Sequence, residues 1–173
     1  MSSARRRAVY PGSFNPPTIA HLDLSQAVIE QRSVDVVVWS ISRVALGKES
    51  HDGPTVEERF VVMNQVAKEY PWLEIQVTDA QLLADIAQGF DVLIMGADKW
   101  EQINELQWYG GDSAARDAAL AALPELAIAS RQPHVAPAEY EIQLEGVELV
   151  SSSAARAGAH HLMLPHARAS GLW

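Results

Sequence analysis

The stretch Tyr10-Pro-Gly-Ser-Phe-Asn-Pro-Pro-Thr-Ile-Ala-His21 decides the fold. Ala8-Val9-Tyr10 before it is the only apolar run near the N-terminus, and Ile19 to Ile29 after it is apolar enough to form a buried helix. Gly12, Asn15, Pro16 and Pro17 between them are turn-formers, so the unit reads as strand, loop, helix. A loop of this kind presents backbone N–H groups and the positive end of the helix macrodipole above the strand, which favours phosphate. Thr18 and His21, three residues apart at the helix start, share a face and can point at one site. Plain connectors have similar compositions, with Thr18 as a simple N-cap and His21 as a core histidine, so the rest of the chain must decide.

Beyond that helix, Val34-Asp-Val-Val-Val-Trp39 reads as a strand covered on both faces. Residues 41–54 lack periodicity and read as a loop over the site, from which Arg43 and Lys48 can reach a phosphate. Thr55-Val-Glu-Glu58 has the form of a capping box, and Val56, Phe60, Met63, Ala67 and Tyr70 follow at helical spacing. Leu73, Ile75 and Val77 alternate with polar residues, as in a strand exposed on one face. A helix is expected over 81–88, then a buried strand over 91–95 with Gly96-Ala-Asp98 at its end and a Trp-rich segment over 99–109. An Ala-rich helix over 113–123, a fifth strand over 125–129 leading to Ser130-Arg131, and a last short strand over 147–150 complete the order. Ser151-Ser-Ser153 then caps a short helical segment.

Strands alternating with helices imply an α/β fold, a Rossmann-like doubly wound parallel sheet, as a single domain over 1–173 with a short helical segment at 154–173. Such a sheet binds ligands beyond the carboxyl ends of its strands, at the point where strand order reverses. Gly12, Gly96 and Ser152 should then share one sheet edge, with Tyr10, Val37, Ile94 and Ile128 in neighbouring strands.

The chain has 173 residues, 48% of them hydrophobic and 20% charged, a composition typical of globular domains. A formal net charge of −9 argues against a general nucleic-acid surface, yet leaves room for a small anionic substrate where cations gather locally. Absence of cysteine excludes disulfides and thiolate metal sites. No apolar run approaches the ~20 residues of a membrane span, and the basic start Arg5-Arg-Arg7 runs directly into a strand rather than into a signal-peptide core, so a cytoplasmic address is expected. His160, His161 and His166 lack a supporting carboxylate pattern and are not read as ligands; no protein metal site is expected.

The string Gly12-Ser-Phe-Asn-Pro-Pro-Thr-Ile-Ala-His21 resembles the N-terminal signature Gly-Ser/Thr-Phe-Asp-Pro-x-His/Thr-x-Gly-His of the nucleotidylyltransferase superfamily, with Ala20 in place of the usual glycine. Ser151-Ser-Ser-Ala-Ala-Arg156 resembles its closing serine and arginine motif. Gly96-Ala-Asp98, Trp108-Tyr109 and Ser130-Arg131 look most like the bacterial nicotinate mononucleotide adenylyltransferases, whereas Thr18-x-x-His21-Leu-Asp23 looks like phosphopantetheine adenylyltransferase. The resemblance implies an enzyme that transfers AMP from ATP to nicotinate or nicotinamide mononucleotide in NAD biosynthesis, releasing pyrophosphate, with Mg2+ carried by the ATP. Phosphopantetheine is the alternative acceptor, and a nucleotide-binding relative without turnover is a third reading. A homo-oligomer is compatible with all three.

In this likeness the catalytic residues are Thr18, His21 and Arg156. His21 would meet the α-phosphate, Thr18 would orient a phosphate, and Arg156 with Ser152 and Ser153 would hold the β- and γ-phosphates. Gly12, Ser13, Phe14, Lys48, Gly96, Asp98, Trp108 and Arg131 complete the substrate-binding set. Asp98 would bind a hydroxyl or the acceptor, and Trp108 would stack on a flat ring.

Overall fold

The computed structural model describes residues 4–43, 53–146 and 150–173. Five strands, β1 (Arg7–Pro11), β2 (Val36–Ser42), β3 (Leu73–Thr78), β4 (Val92–Gly96) and β5 (Glu125–Ala129), form one sheet in the order β3-β2-β1-β4-β5. Every pairing in it is parallel. Helices α1 (Ile19–Arg32), α2 (Val56–Ala67), α3 (Leu83–Ile86), α4 (Ala97–Asn104), α5 (Ser113–Ala121), α6 (Ser152–Arg156) and α7 (Pro165–Ser170) make the crossovers and the C-terminal segment. Tyr10, Val37, Ile94 and Ile128 do sit in neighbouring strands, because β2, β1, β4 and β5 are consecutive in the sheet.

The reason is legible strand by strand. β2 is buried from Val36 to Ile41, with Ser40 its one polar residue, and β4 from Val92 to Met95, the near-continuous apolar runs of a sheet covered on both faces. β3 lies at the edge, and beyond Leu73 its residues are at least partly exposed, without the alternating burial that its sequence suggests. Two cores flank the sheet. One gathers Phe14, Leu24, Val28, Trp39, Met63 and Ile94, and the other Val9, Leu93, Met95, Leu126 and Ile128.

Four expectations shift. The first helix runs on to Arg32, closed by Ser33 in the left-handed region, and β2 extends to Ser42. The helix expected over 81–88 shrinks to the four residues Leu83–Ile86, since Gln81, Leu82 and the turn at Gly89 leave no room for a longer one. The Trp-rich segment is not one element but α4 followed by a 3₁₀ turn, Leu106–Tyr109. Lys48 and residues 147–149 of the expected last strand lie outside the described residues. The free edge of β5 is instead met by residues 140–142: Ile128 N–H donates to Tyr140 O at 2.8 Å and Ile142 N–H to Ile128 O at 2.9 Å. Among the described residues, no helix is long and apolar enough to cross a membrane.

Sheet geometry opens the site. β1 pairs with β2 as far as Pro11↔Ser40, but with β4 only at Ala8↔Val92 and Val9↔Leu93. Strands β1 and β4 therefore part just below Tyr10, at the point where strand order reverses, and a cleft forms above the parting.

Candidate active site

The cleft has a volume of about 1020 Å³ and is lined by residues from every motif singled out in the sequence. Gly12, Ser13, Phe14, Thr18 and His21 come from the β1–α1 unit, and Gly96 and Asp98 from the end of β4. Trp108 comes from the 3₁₀ turn, Arg131 from beyond β5, and Ser152, Ser153 and Arg156 from α6. The residues thus converge on one edge of the sheet.

Two glycines are fixed by close approach. A Cβ on Gly12 would stand 3.0 Å from Phe14 Cε2, and one on Gly96 would stand 2.5 Å from Asp98 Oδ1. The first matters more, because the Phe14 ring cannot yield easily. It is buried and stacks on Trp39 at 4.9 Å between centroids with 18° between planes. Phe14 also packs at 4.7 Å from the His21 ring, so its side chain is a wall of the cleft that fixes His21.

His21 is the third residue of α1, with Thr18 as the N-cap. The backbone N–H of Thr18 donates to His21 Nδ1 at 2.9 Å, and Thr18 Oγ1 lies 2.9 Å from the same nitrogen. A ring nitrogen that accepts an N–H bond carries no proton, so this network assigns the neutral tautomer with hydrogen on Nε2. Among the described residues Nε2 has no partner. Burial, and secondarily the Arg131 guanidinium, pushes the His21 pKa down to about 4. The backbone of His21 is held by a relay in which Trp39 Nε1 donates to Ser25 Oγ at 2.8 Å and Ser25 Oγ donates to the carbonyl of His21 at 2.7 Å.

A pH prediction follows from that shift. Below the ordinary imidazole value of 6.5 the unfolded chain takes up a proton at His21 that the folded chain refuses until about pH 4. Stability is therefore expected to fall as pH drops through that window. Chemical denaturation at pH 7.5, 6.0, 5.0 and 4.0 checks this: His21→Gln should be less acid-sensitive than the wild type, and identical slopes would contradict the assignment.

The Asn15-Pro16-Pro17 turn is held by the C-terminal segment. Arg156 Nη1 donates to Asn15 O, Ser152 Oγ to Pro16 O at 2.8 Å, and the backbone N–H of Leu164 to Pro17 O at 3.1 Å. Three successive carbonyls, two from residues with no N–H of their own, thus find donors. Trp173 Nε1 adds a bond to Asn15 Oδ1 at 2.5 Å. Arg156 Nη2 reaches Ser153 Oγ at 3.3 Å, and Ser151 Oγ caps α6 by accepting from Ala154 N–H at 3.0 Å. Arg156 and Ser152 are accordingly bound to the motif loop as well as facing the cleft.

Across the cleft, Asp98 lies at the start of α4, and its Oδ2 is 3.8 Å from Arg131 Nη2 with both side chains nearly half exposed, a loose pair that a ligand can part. Trp108 is partly buried in the cleft wall, and its indole N–H has no partner among the described residues. Burial raises the pKa of Tyr10, whose ring lies 5.7 Å from His21.

Although the whole chain carries −9, the charged side chains lining the cleft among the described residues are Arg43, Arg59, Lys99, Arg131 and Arg156 against Asp98 and Glu141. Cations do gather locally, as an anionic ligand needs. Among the described residues no group of three His, Asp or Glu stands together as a metal cage.

Sequence reasoning missed Arg59 and Asn15. Arg59 shares the buried face of α2 with Met63 and Val66, four and seven residues on, so a cation on an apolar stripe was the available signal. Asn15 was read as a turn-former only; nothing in the sequence marks Trp173 as its partner.

Comparison with known proteins agrees with this picture. The profile of the cytidylyltransferase-like family matches residues 9–158. Phosphopantetheine adenylyltransferase of Symbiobacterium thermophilum is 34% identical over 109 residues, 61% of this chain and 62% of that protein. The same enzyme of Natranaerobius thermophilus is 39% identical over 90 residues, 52% of each chain. The chain therefore spans only about half to three-fifths of the curated relatives it matches. Among solved structures, Plasmodium falciparum nicotinic acid mononucleotide adenylyltransferase complexed with NaAD superposes with a TM-score of 0.62 over 88% of this chain and 83% of that one, at 14% identity, a likeness of fold.

Proposed function

The chain belongs to the cytidylyltransferase-like family, and we propose that it is a nucleotidyltransferase that transfers AMP from ATP to the phosphate of a pyridine mononucleotide, nicotinate or nicotinamide mononucleotide, releasing pyrophosphate. The observation that carries the reaction type is His21: a neutral imidazole, proton on Nε2, fixed at the N-terminus of α1 in a cleft rich in cations. An oxygen of the acceptor phosphate attacks the α-phosphorus of ATP, the bond to the bridging oxygen breaks, and pyrophosphate departs with that electron pair. His21 Nε2–H donates to a non-bridging α-phosphate oxygen as charge builds there. Because the donor is neutral and already oriented by Thr18, it requires no proton transfer and little reorganisation. The helix dipole and the backbone of Gly12 and Ser13 add positive potential at the same place. Arg156, anchored through Nη1 to Asn15, holds the departing phosphates with Ser153 beside it. Mg2+ belongs to the nucleotide in this reading.

In this reading the acceptor lies on the other side of the cleft, whose lining includes Trp108 and the Asp98–Arg131 pair. A flat ring stacked on Trp108 gains roughly 1–3 kcal/mol. Trp108→Ala is thus expected to weaken a pyridine mononucleotide by about tenfold or more, with ATP affinity nearly unchanged. Acceptor titration at saturating ATP checks it, and unaltered acceptor affinity would remove the pyridine assignment. One observation favours a second reading: the curated relatives quoted above are phosphopantetheine adenylyltransferases. Turnover with phosphopantetheine and with neither pyridine mononucleotide would select it.

A further inference from the structure

Arg59 is a charged residue in the wrong place for a charged residue. It is 4% exposed, on the face of α2 that packs into the protein beside Val62, Met63 and Val66. Burying a guanidinium without a carboxylate is unfavourable unless something else needs the charge there. Glu57 is the acidic group that acts on it through space, yet Glu57 forms its ion pair with Arg43. Among the described residues no carboxylate stands within ion-pair distance of Arg59. Its bonds go instead to two backbone carbonyls, Nε to Thr55 O at 3.3 Å and Nη1 to Ser13 O.

Ser13 lies between Gly12 and Phe14 in the loop beneath the cleft, and Arg59 itself lines that cleft. A donor gripping the Ser13 carbonyl from one side orients the peptide planes next to it, and so the N–H groups they turn toward a ligand. The same guanidinium leaves a positive charge under the loop that no described carboxylate meets within ion-pair distance.

We propose that Arg59 is the positioning residue of the Gly12-Ser13-Phe14 loop and that its charge, within ion-pair distance of no carboxylate among the described residues, serves the polyphosphate of the nucleotide. The inference rests on the nucleotide reading above but not on turnover or on the acceptor. Polyphosphate supplies the negative charge that no described carboxylate brings within ion-pair distance, so ligand-free and ligand-bound protein should respond in opposite ways to removal of the charge.

The test uses the whole chain with MgATP and inorganic tripolyphosphate as probes, measured by calorimetry at two salt concentrations, beside thermal melts of the ligand-free protein. Arg59→Met, close in length and uncharged, is expected to bind both probes about tenfold or more weakly, with a flatter salt dependence, while its ligand-free melting temperature stays level or rises. Arg59→Lys should recover part of the affinity, because it restores charge without the fork that reaches two carbonyls. Arg59→Met binding both probes as the wild type does would overturn the proposal. So would affinity lost only together with a drop of several degrees in the ligand-free melt, for then Arg59 merely holds the fold. Wild-type binding without turnover on any acceptor would sink the adenylyltransferase reading and leave this inference standing; a wild type that binds neither probe would overturn both.

Discussion

Replacing His21 with alanine is expected to lower turnover by about a hundredfold or more while changing ATP affinity much less. The asymmetry comes from where the donor acts. Nε2–H meets an α-phosphate oxygen whose charge grows only as the attacking oxygen approaches, so the bond is stronger in the transition state than in the bound nucleotide. His21→Gln is the companion variant, since its side chain supplies an acceptor for Thr18 N–H and a donor of its own, and it should retain part of the rate that alanine loses. Arg156→Ala should differ in kind: a residue gripping phosphates before the reaction raises the Michaelis constant for ATP as well as lowering turnover. Steady-state kinetics of the three variants check this, and a His21→Ala enzyme as fast as the wild type would return the imidazole to a packing role among Tyr10, Phe14 and Trp39.

Trp39→Ala is expected to destabilise the protein by about 3–5 kcal/mol, a large share of the roughly 5–15 kcal/mol available to a domain of this size. Trp39 is fully buried in the middle of β2, stacks on Phe14, and gives its indole N–H to Ser25. Truncation removes the ring, opens a cavity and leaves the Ser25 hydroxyl without its donor. Trp39→Phe keeps most of the ring and should cost much less, about 1–2 kcal/mol for the lost bond and volume. Urea midpoints at unchanged slope provide the measurement. A Trp39→Ala midpoint within experimental scatter of the wild type would mean that the wall behind His21 is not set by this stack.

How much of this was readable beforehand varies by residue, for physical reasons. The capping box at Thr55 and the strong turn-formers between Tyr10 and His21 act locally, so α2 and the β1–α1 unit appear in the sequence close to where they occur. The convergence of Gly12, Gly96 and Ser152 followed from chirality and parallel pairing. Contacts between distant residues were not legible. The spacing of Arg59 from Met63 and Val66 puts it on the apolar stripe of α2, but its bond to Ser13 is not readable, and Trp173 meets Asn15 across 158 positions through a fold that brings the C-terminal segment against the motif loop. Arg156 was expected for phosphate alone; its bond to Asn15 O could not be foreseen, because it depends on the path of the turn rather than on spacing. The short α3 likewise reflects a tight connection between β3 and β4 that overrides local propensity over 81–88.

The most direct test of the account is pyrophosphate release by the wild-type chain with MgATP and, separately, nicotinate mononucleotide, nicotinamide mononucleotide and phosphopantetheine, with the adenylylated product identified by mass. The account predicts pyrophosphate and a dinucleotide product in equal amounts with a pyridine mononucleotide. ATP bound in the cleft with no pyrophosphate released on any of the three acceptors would contradict it.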